Sequence, residues 1–143
     1  MITVADAHDR QALEDGLNAY NRATSPYFAA LAQPDGAQQP LDVFVRDARG
    51  QIRGGLAGTT YWGWLTIGLL WFDEQIRGQR YGTRLLAIAE QEALRRGCAS
   101  SRVNTYSFQA RGFYERLGYR VVGQLDDFPP GGASFTLRKD LAR

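Results

Sequence analysis

Arg77-Gly78-Gln79-Arg80-Tyr81-Gly82 is a polar turn with two glycines and two arginines, followed by Thr83 and Arg84. It joins two unlike stretches. Before it, Trp64 to Phe72 is an almost unbroken apolar run, which reads as a buried strand. After it, Leu85, Leu86, Ala89 and Ala93 recur at three- and four-residue spacing, the mark of a helix with one apolar face. A strand feeding a glycine-containing turn into a helix start is suited to hold phosphate. The first helical N–H groups lack partners within the helix, and the aligned peptide dipoles favour negative charge there. Arg77, Arg80 and Arg84 add three cations. The turn over residues 77–83 is therefore expected to bind a phosphorylated ligand. A nucleotide P-loop would need Gly-Lys-Ser/Thr, and a dinucleotide fingerprint would need three spaced glycines; the turn has neither.

The remaining elements must position this turn. Ile2 to Val4 can form a short first strand, with Asp6 as a helix cap, and Ala7 to Ala23 reads as a helix. A short helical piece, Tyr27 to Ala32, leads into a Pro/Gly/Gln loop that reads as mobile. Leu41–Arg46 and Gln51–Thr60 make a hairpin, with Gly54, Gly55 and Gly58 suggesting bulges or a close approach. Beyond the long helix, Gly97 sits at a C-terminal cap, and Ala99–Tyr106 is a strand parallel to the central one. Ser107 or a neighbour caps a second helix, Gln109–Leu117. Tyr119–Leu125 and Ala133–Lys139 are the last strands. The expected fold class is α/β (α+β): a mixed, mostly antiparallel sheet with a parallel splayed central strand pair, and helices on both faces.

Length and composition bound the rest. At 143 residues, 44% hydrophobic and 22% charged, the chain reads as one domain, 1–143, with a core of its own. A net charge of +2 without a Lys/Arg run argues against nucleic acid. No apolar run is long enough to span a bilayer, and the N-terminus lacks the pattern of a signal peptide. One cysteine, Cys98, excludes an internal disulfide, so a cytoplasmic location is expected. With one histidine, His8, and one cysteine, no metal site is expected.

Two motifs carry a resemblance. FDEQIRGQRYGTRLL is similar to the acetyl-coenzyme A turn of the GNAT N-acetyltransferases, Arg/Gln-x-x-Gly-x-Gly/Ala, with Arg77 opening the pattern and Gly82 closing it. VNTYSFQARGFYERLGY resembles the second half of that family's core. Together they cover about residues 64–125. The resemblance implies an acyltransferase that uses acetyl-CoA as co-substrate and requires no metal. The diphosphate would sit on the backbone of Arg77, Gly78, Gln79, Arg80, Tyr81, Gly82 and Thr83. Leu70 and Phe72 would pair with the pantetheine arm through their backbones, Gly68 would supply the bulge that splays the strand, and Asn104 would lie at the end of the adjacent strand. Tyr114 would protonate the departing thiolate. Arg80 stands where the family has glycine. If the backbone there needs φ > 0, its side chain could crowd the diphosphate; the favoured reading is a helical φ, with Arg80 beginning the helix and gaining charge-assisted contacts.

Other residues have two readings. Phe113 and Tyr114 are adjacent on a helix and point about 100° apart, so one must leave the core; the hydroxyl-bearing ring is the expected one. Trp62, Trp64 and Phe128, with Tyr61, either wall an acceptor pocket or are core and dimer surface. Glu74, Asp73, Asp126 and Asp127 are candidate bases or simply solvated charges. The expected reaction is direct acetyl transfer to a primary amine of a small molecule. The alternatives are acetylation of a peptide or protein amine, or a non-catalytic acyl-CoA-binding regulatory domain. Homodimer formation is left open by the sequence.

Overall fold

The computed structural model describes residues 2–4 and 9–141 and divides the chain into two compact units, residues 1–37 and 38–143. In the first unit, α1 (Arg10–Thr24) precedes α2 (Pro26–Ala30), whose start is fixed by Pro26 and by Ser25 Oγ accepting from the Phe28 N–H at 3.4 Å. Ile2 to Val4 forms no strand and is exposed, a correction to the sequence expectation. Three residues offer too few ladder hydrogen bonds to hold a strand. Asp6 and His8 lie outside the described residues.

The second unit is a six-stranded sheet: β1 (Gln39–Arg46), β2 (Ile52–Tyr61), β3 (Trp64–Phe72), β4 (Ser100–Tyr106), β5 (Arg120–Asp126) and β6 (Ala133–Asp140). The spatial order is β1-β2-β3-β4-β6-β5, antiparallel throughout except for the parallel pair β3–β4. The connection between that pair is α3 (Tyr81–Arg95), and α4 (Arg111–Arg116) follows β4. Both helices stop in the same way. Gly97 and Gly118 are left-handed (φ +87° and +95°), and the following amides reach back five residues, Cys98 to Ala93 O at 2.9 Å and Tyr119 to Tyr114 O at 3.0 Å. Gly97 thus caps as its sequence position predicts. Ser107 does not cap α4. Thr105 Oγ1 and Gln109 Oε1 bracket its start, while Ser107 Oγ accepts from the Ala133 N–H at 3.0 Å.

Leu41, Leu56, Leu65, Ile67, Val103, Phe135 and Leu137 bury one face of the sheet against Leu86, Ala89 and Ala93 of α3. Gly58 is required by contact: a Cβ there would lie 2.6 Å from Thr66 O. Two polar ties cross the core. The Tyr119 hydroxyl and Ser101 Oγ are 2.8 Å apart in a fully buried pair. Lys139, the sole lysine, places its ammonium 2.9 Å from both oxygens of Glu90, a buried carboxylate on α3.

Among the described residues no helix is long and apolar enough to cross a membrane. Removing the ammonium strands a covered carboxylate. Lys139→Ala should therefore lower stability by about 2–4 kcal/mol in urea denaturation, and the double change Glu90→Leu, Lys139→Met should restore most of it. A Lys139→Ala transition superimposable on that of the parent would contradict the assignment.

Candidate functional site

The site exists because β3 and β4 part company. Their parallel register runs from Trp64↔Ser100 to Ile67↔Val103 and stops there. On its other side β3 stays with β2 to Phe72, but the register slips between Ala57 and Gly58, which skips Gly68. That is the bulge expected at Gly68, and it turns the rest of β3 away from β4. The Asp73 N–H donates to Arg53 O at 2.7 Å, so in the alternating antiparallel ladder Trp71 and Leu69 also face β2. Leu70 and Phe72 therefore turn their backbone groups into the gap. A cleft of about 850 Å³ fills it, bounded by the far half of β3, the turn at 76–83, the end of β4 and the start of α4.

At one end the cleft meets the N-terminus of α3. The first helical bond runs from the Arg84 N–H to Arg80 O at 3.2 Å, so the amides of Tyr81, Gly82 and Thr83 have no acceptor within the helix. All three residues line the cleft, as do Arg77, Gly78 and Arg80. Arg80 is not helical, contrary to expectation. It is left-handed, with φ 61° and ψ 21°, as is Gly78 at φ 79°. A turn containing two left-handed residues gathers successive N–H groups around a small volume, a geometry that suits an anion. For a residue with a Cβ this conformation costs roughly 1–3 kcal/mol, a strain of the kind found at binding turns.

Arg77 Nε donates to Phe72 O at 3.0 Å, which ties the turn to the parted strand. Arg84 lies 5.4 Å over the Tyr81 ring. Gly82 has an ordinary φ, and its importance is space. A Cβ there would meet the Phe113 ring at 3.1 Å and the Phe72 ring at 3.4 Å.

Tyr114, on α4, also lines the cleft. It is the buried ring of the adjacent pair, with Phe113 only part-buried, which reverses the expectation from their helical spacing. Its ring meets Phe113 and Tyr119 edge-on at 5.1 and 5.6 Å. Among the described residues no buried side-chain oxygen lacks a partner, and none of them hydrogen-bonds the Tyr114 hydroxyl. The hydroxyl therefore keeps some exposure to solvent, and its residue lines the cleft. Burial pushes this phenol up to about 12. Asn104, one residue beyond the last β3–β4 pair, also lines the cleft; its Oδ1 accepts from Thr136 Oγ1 at 2.8 Å.

Five expected site residues lie elsewhere. Gln79 bends away from the cleft, its amide 3.4 Å from Gln75 O. Trp62 and Trp64 sit at the opposite end of β3: Trp62 occupies the β2–β3 turn, and Trp64 lies under Arg138 at 4.9 Å. Glu74 is exposed in a short helical turn, and Phe128 packs against Tyr106 outside the lining. Asp73 accepts from the Gln75 N–H at 2.9 Å and so fixes that turn. Residues that sequence reasoning passed over include Phe113, Phe108 and Arg116, all in the lining. Arg116 carried no periodic signal, since two residues after Tyr114 it leaves the helix about 200° away.

A parted parallel strand pair, ending at free amides on a helix start, defines an acyl-CoA transferase architecture. The chain matches the Acetyltransferase (GNAT) family over residues 7–119 and belongs to it. Its family uses acetyl-CoA, and it is an acyltransferase enzyme. It is 43% identical over 130 residues to the blasticidin-S acetyltransferase of Streptomyces morookaense, covering 87% of this chain and 96% of that one. It is 36% identical over 136 residues to the acetyltransferase Atu2258 of Agrobacterium fabrum, covering 95% and 93%. The crystal structure of an acetyltransferase from Bacillus cereus superimposes with a TM-score of 0.84 at 28% identity, covering 98% and 96%.

The packing at Gly82 sets a measurable expectation. Gly82→Leu must displace Phe113 from the helix start, and should weaken acetyl-CoA binding in calorimetry by roughly tenfold or more, with Gly82→Ala intermediate. Parent affinity in the leucine variant would show that the helix start makes no contact with the cofactor.

Proposed function

We propose that this acetyltransferase transfers the acetyl group of acetyl-CoA to a primary amine of a small molecule, by direct attack in a ternary complex. The observation that carries this reading is that one cleft between β3 and β4 is lined both by the free amides at the start of α3 and by Tyr114. The amides at residues 81–83 and the cations Arg77 and Arg80 suit a diphosphate. The backbone groups of Leu70 and Phe72 suit an amide-bearing arm laid along the parted strand, and Asn104 borders the same space. The likeness to a blasticidin-S acetyltransferase supports a small antibiotic-like amine as acceptor. No carboxylate lines the cleft among the described residues, which disfavours a basic peptide there.

The bound thioester supplies an activated acetyl carbon. The protein's part is position and polarity. The Phe72 N–H is free to donate to the carbonyl oxygen as negative charge grows on it. Holding amine and thioester in one orientation removes much of the entropic barrier. The Tyr114 hydroxyl donates a hydrogen bond to the sulfur as it departs. At about 12 it stays protonated throughout the working pH range. Neither Glu74 nor Asp73, nor any histidine, lines the cleft among the described residues, so the amine gives its proton to water.

The test is an acetylation screen that follows free thiol release across blasticidin-S, aminoglycosides, polyamines and basic peptides. Acetylation of a peptide amine in preference to every small molecule would overturn the reading. Tyr114→Phe should lower kcat by about 10²-fold while leaving acetyl-CoA affinity within twofold. An unchanged kcat would remove Tyr114 from the reaction. With water as base, log kcat/KM should rise with pH until it reaches the acceptor amine's own pKa, and should shift when an amine of different pKa is used. Burial has raised Tyr114, so its protonated form persists beyond pH 10 and adds no alkaline fall below about pH 12. A limb that stays fixed while the amine is changed would reveal an enzyme base.

A further inference from the structure

Tyr106, Phe108 and Phe128 form an aromatic cluster at the open end of β4, and the mechanism above uses none of them. Tyr106 and Phe108 are stacked, with centroids 5.6 Å apart and planes within 9°. Phe128 meets Tyr106 at 6.2 Å, tilted by 58°. All three are exposed, Phe108 by 72% and Phe128 by 53%. Packing does not explain rings so placed, because the burial that would reward ordering them is absent.

The cluster is also built to stay in place. Phe128 rides on the β5–β6 loop, which is clamped to the end of β4: the Ser107 N–H donates to Ala133 O at 2.8 Å, and Ser107 Oγ accepts from the Ala133 N–H at 3.0 Å. Within the loop, the Asp127 and Gly132 amides each make a 2.9 Å bond. Gly132 is close enough to the Ser107 hydroxyl that a Cβ would lie 2.7 Å from it. Two features point to the occupant. Phe108 lines the acetyl-donor cleft, so the cluster is continuous with the reacting space. Asp126 ends β5 and Asp127 follows it, so two carboxylates immediately precede Phe128 in the chain, a setting that suits an amine that approaches as a cation.

We infer that Tyr106, Phe108 and Phe128 are a stacking platform that selects acceptor amines carrying a flat conjugated ring. The inference rests on the acetyl-transfer reading above and narrows its substrate class. The stacked pair offers a floor and Phe128 a tilted wall, and a planar ring gains contact with both. A puckered ring of equal carbon count does not.

The experiment compares phenethylamine and tryptamine with cyclohexylethylamine as acceptors, each corrected for its fraction of neutral amine. The flat amines should show kcat/KM higher by roughly fivefold or more. Phe128→Ala, at an exposed position outside the cleft lining, should erase most of that preference through KM. Equal rates for flat and puckered rings, acetylation of none of the three, or a Phe128→Ala variant that keeps the preference would overturn the platform. Calorimetry with acetyl-CoA on the same samples separates the two readings. Tight binding beside a lost preference leaves acetyl transfer standing; no binding overturns both.

Discussion

Everything functional in this chain depends on four residues of β3 that keep one neighbour and lose the other. Gly68 is skipped in the register with β2, and from there to Phe72 the strand holds its antiparallel partner while the parallel one falls away. A sheet interior rarely leaves backbone donors and acceptors unpaired, because each costs a hydrogen bond's worth of desolvation when covered. Here the outward groups of Leu70 and the Phe72 N–H face a cleft instead of a strand, while Phe72 O accepts from Arg77 Nε. That place beside the strand is the one proposed above for an extended, amide-bearing ligand.

The turn after β3 shows the same economy in a different form. Arg80 bears a left-handed backbone that glycine would adopt without strain. Arg77 reaches back to Phe72 O, so a hydrogen bond ties the turn to the parted strand. A glycine at 80 would relax the backbone and remove a cation from the lining of the cleft. The retained strain is consistent with a side chain whose charge matters more than its comfort.

Much of this was legible in the sequence. The apolar run to Phe72, the two-glycine turn and the period of Leu85, Leu86, Ala89 and Ala93 placed the central strand, the turn and α3, because each is a local pattern. The bulge at Gly68 was legible only through the family resemblance, which required a splayed strand and made this glycine the candidate. What failed were inferences about direction. Helical spacing shows that Phe113 and Tyr114 diverge, but not which one meets the core; the space beside Gly82, filled by Phe113, decides that. Trp62 and Trp64 looked like pocket walls because aromatic composition carries no address. Strand length puts them at the far end of β3, several residues before the cleft begins. The sign of φ at Arg80 was hidden as well, since turn sequences with two glycines admit several backbone paths. The Lys139–Glu90 tie spans 49 residues and leaves no periodic trace.

The burial of Tyr114 bears on its proposed role. With its pKa pushed up to about 12, full proton transfer to a thiolate of ordinary acidity near 8.5 is uphill by roughly 5 kcal/mol. A free-standing acid would be poorly chosen. A hydrogen-bond donor is a different matter: it needs to keep its proton, to point at the sulfur, and to act where water is scarce. Burial supplies all three, since it raises the pKa, fixes the ring between Phe113 and Tyr119, and lowers the local dielectric around the hydroxyl. In the proposed reaction the sulfur then takes its final proton from the water that received the amine's proton, with the tyrosine's hydrogen bond stabilising the thiolate in the interval.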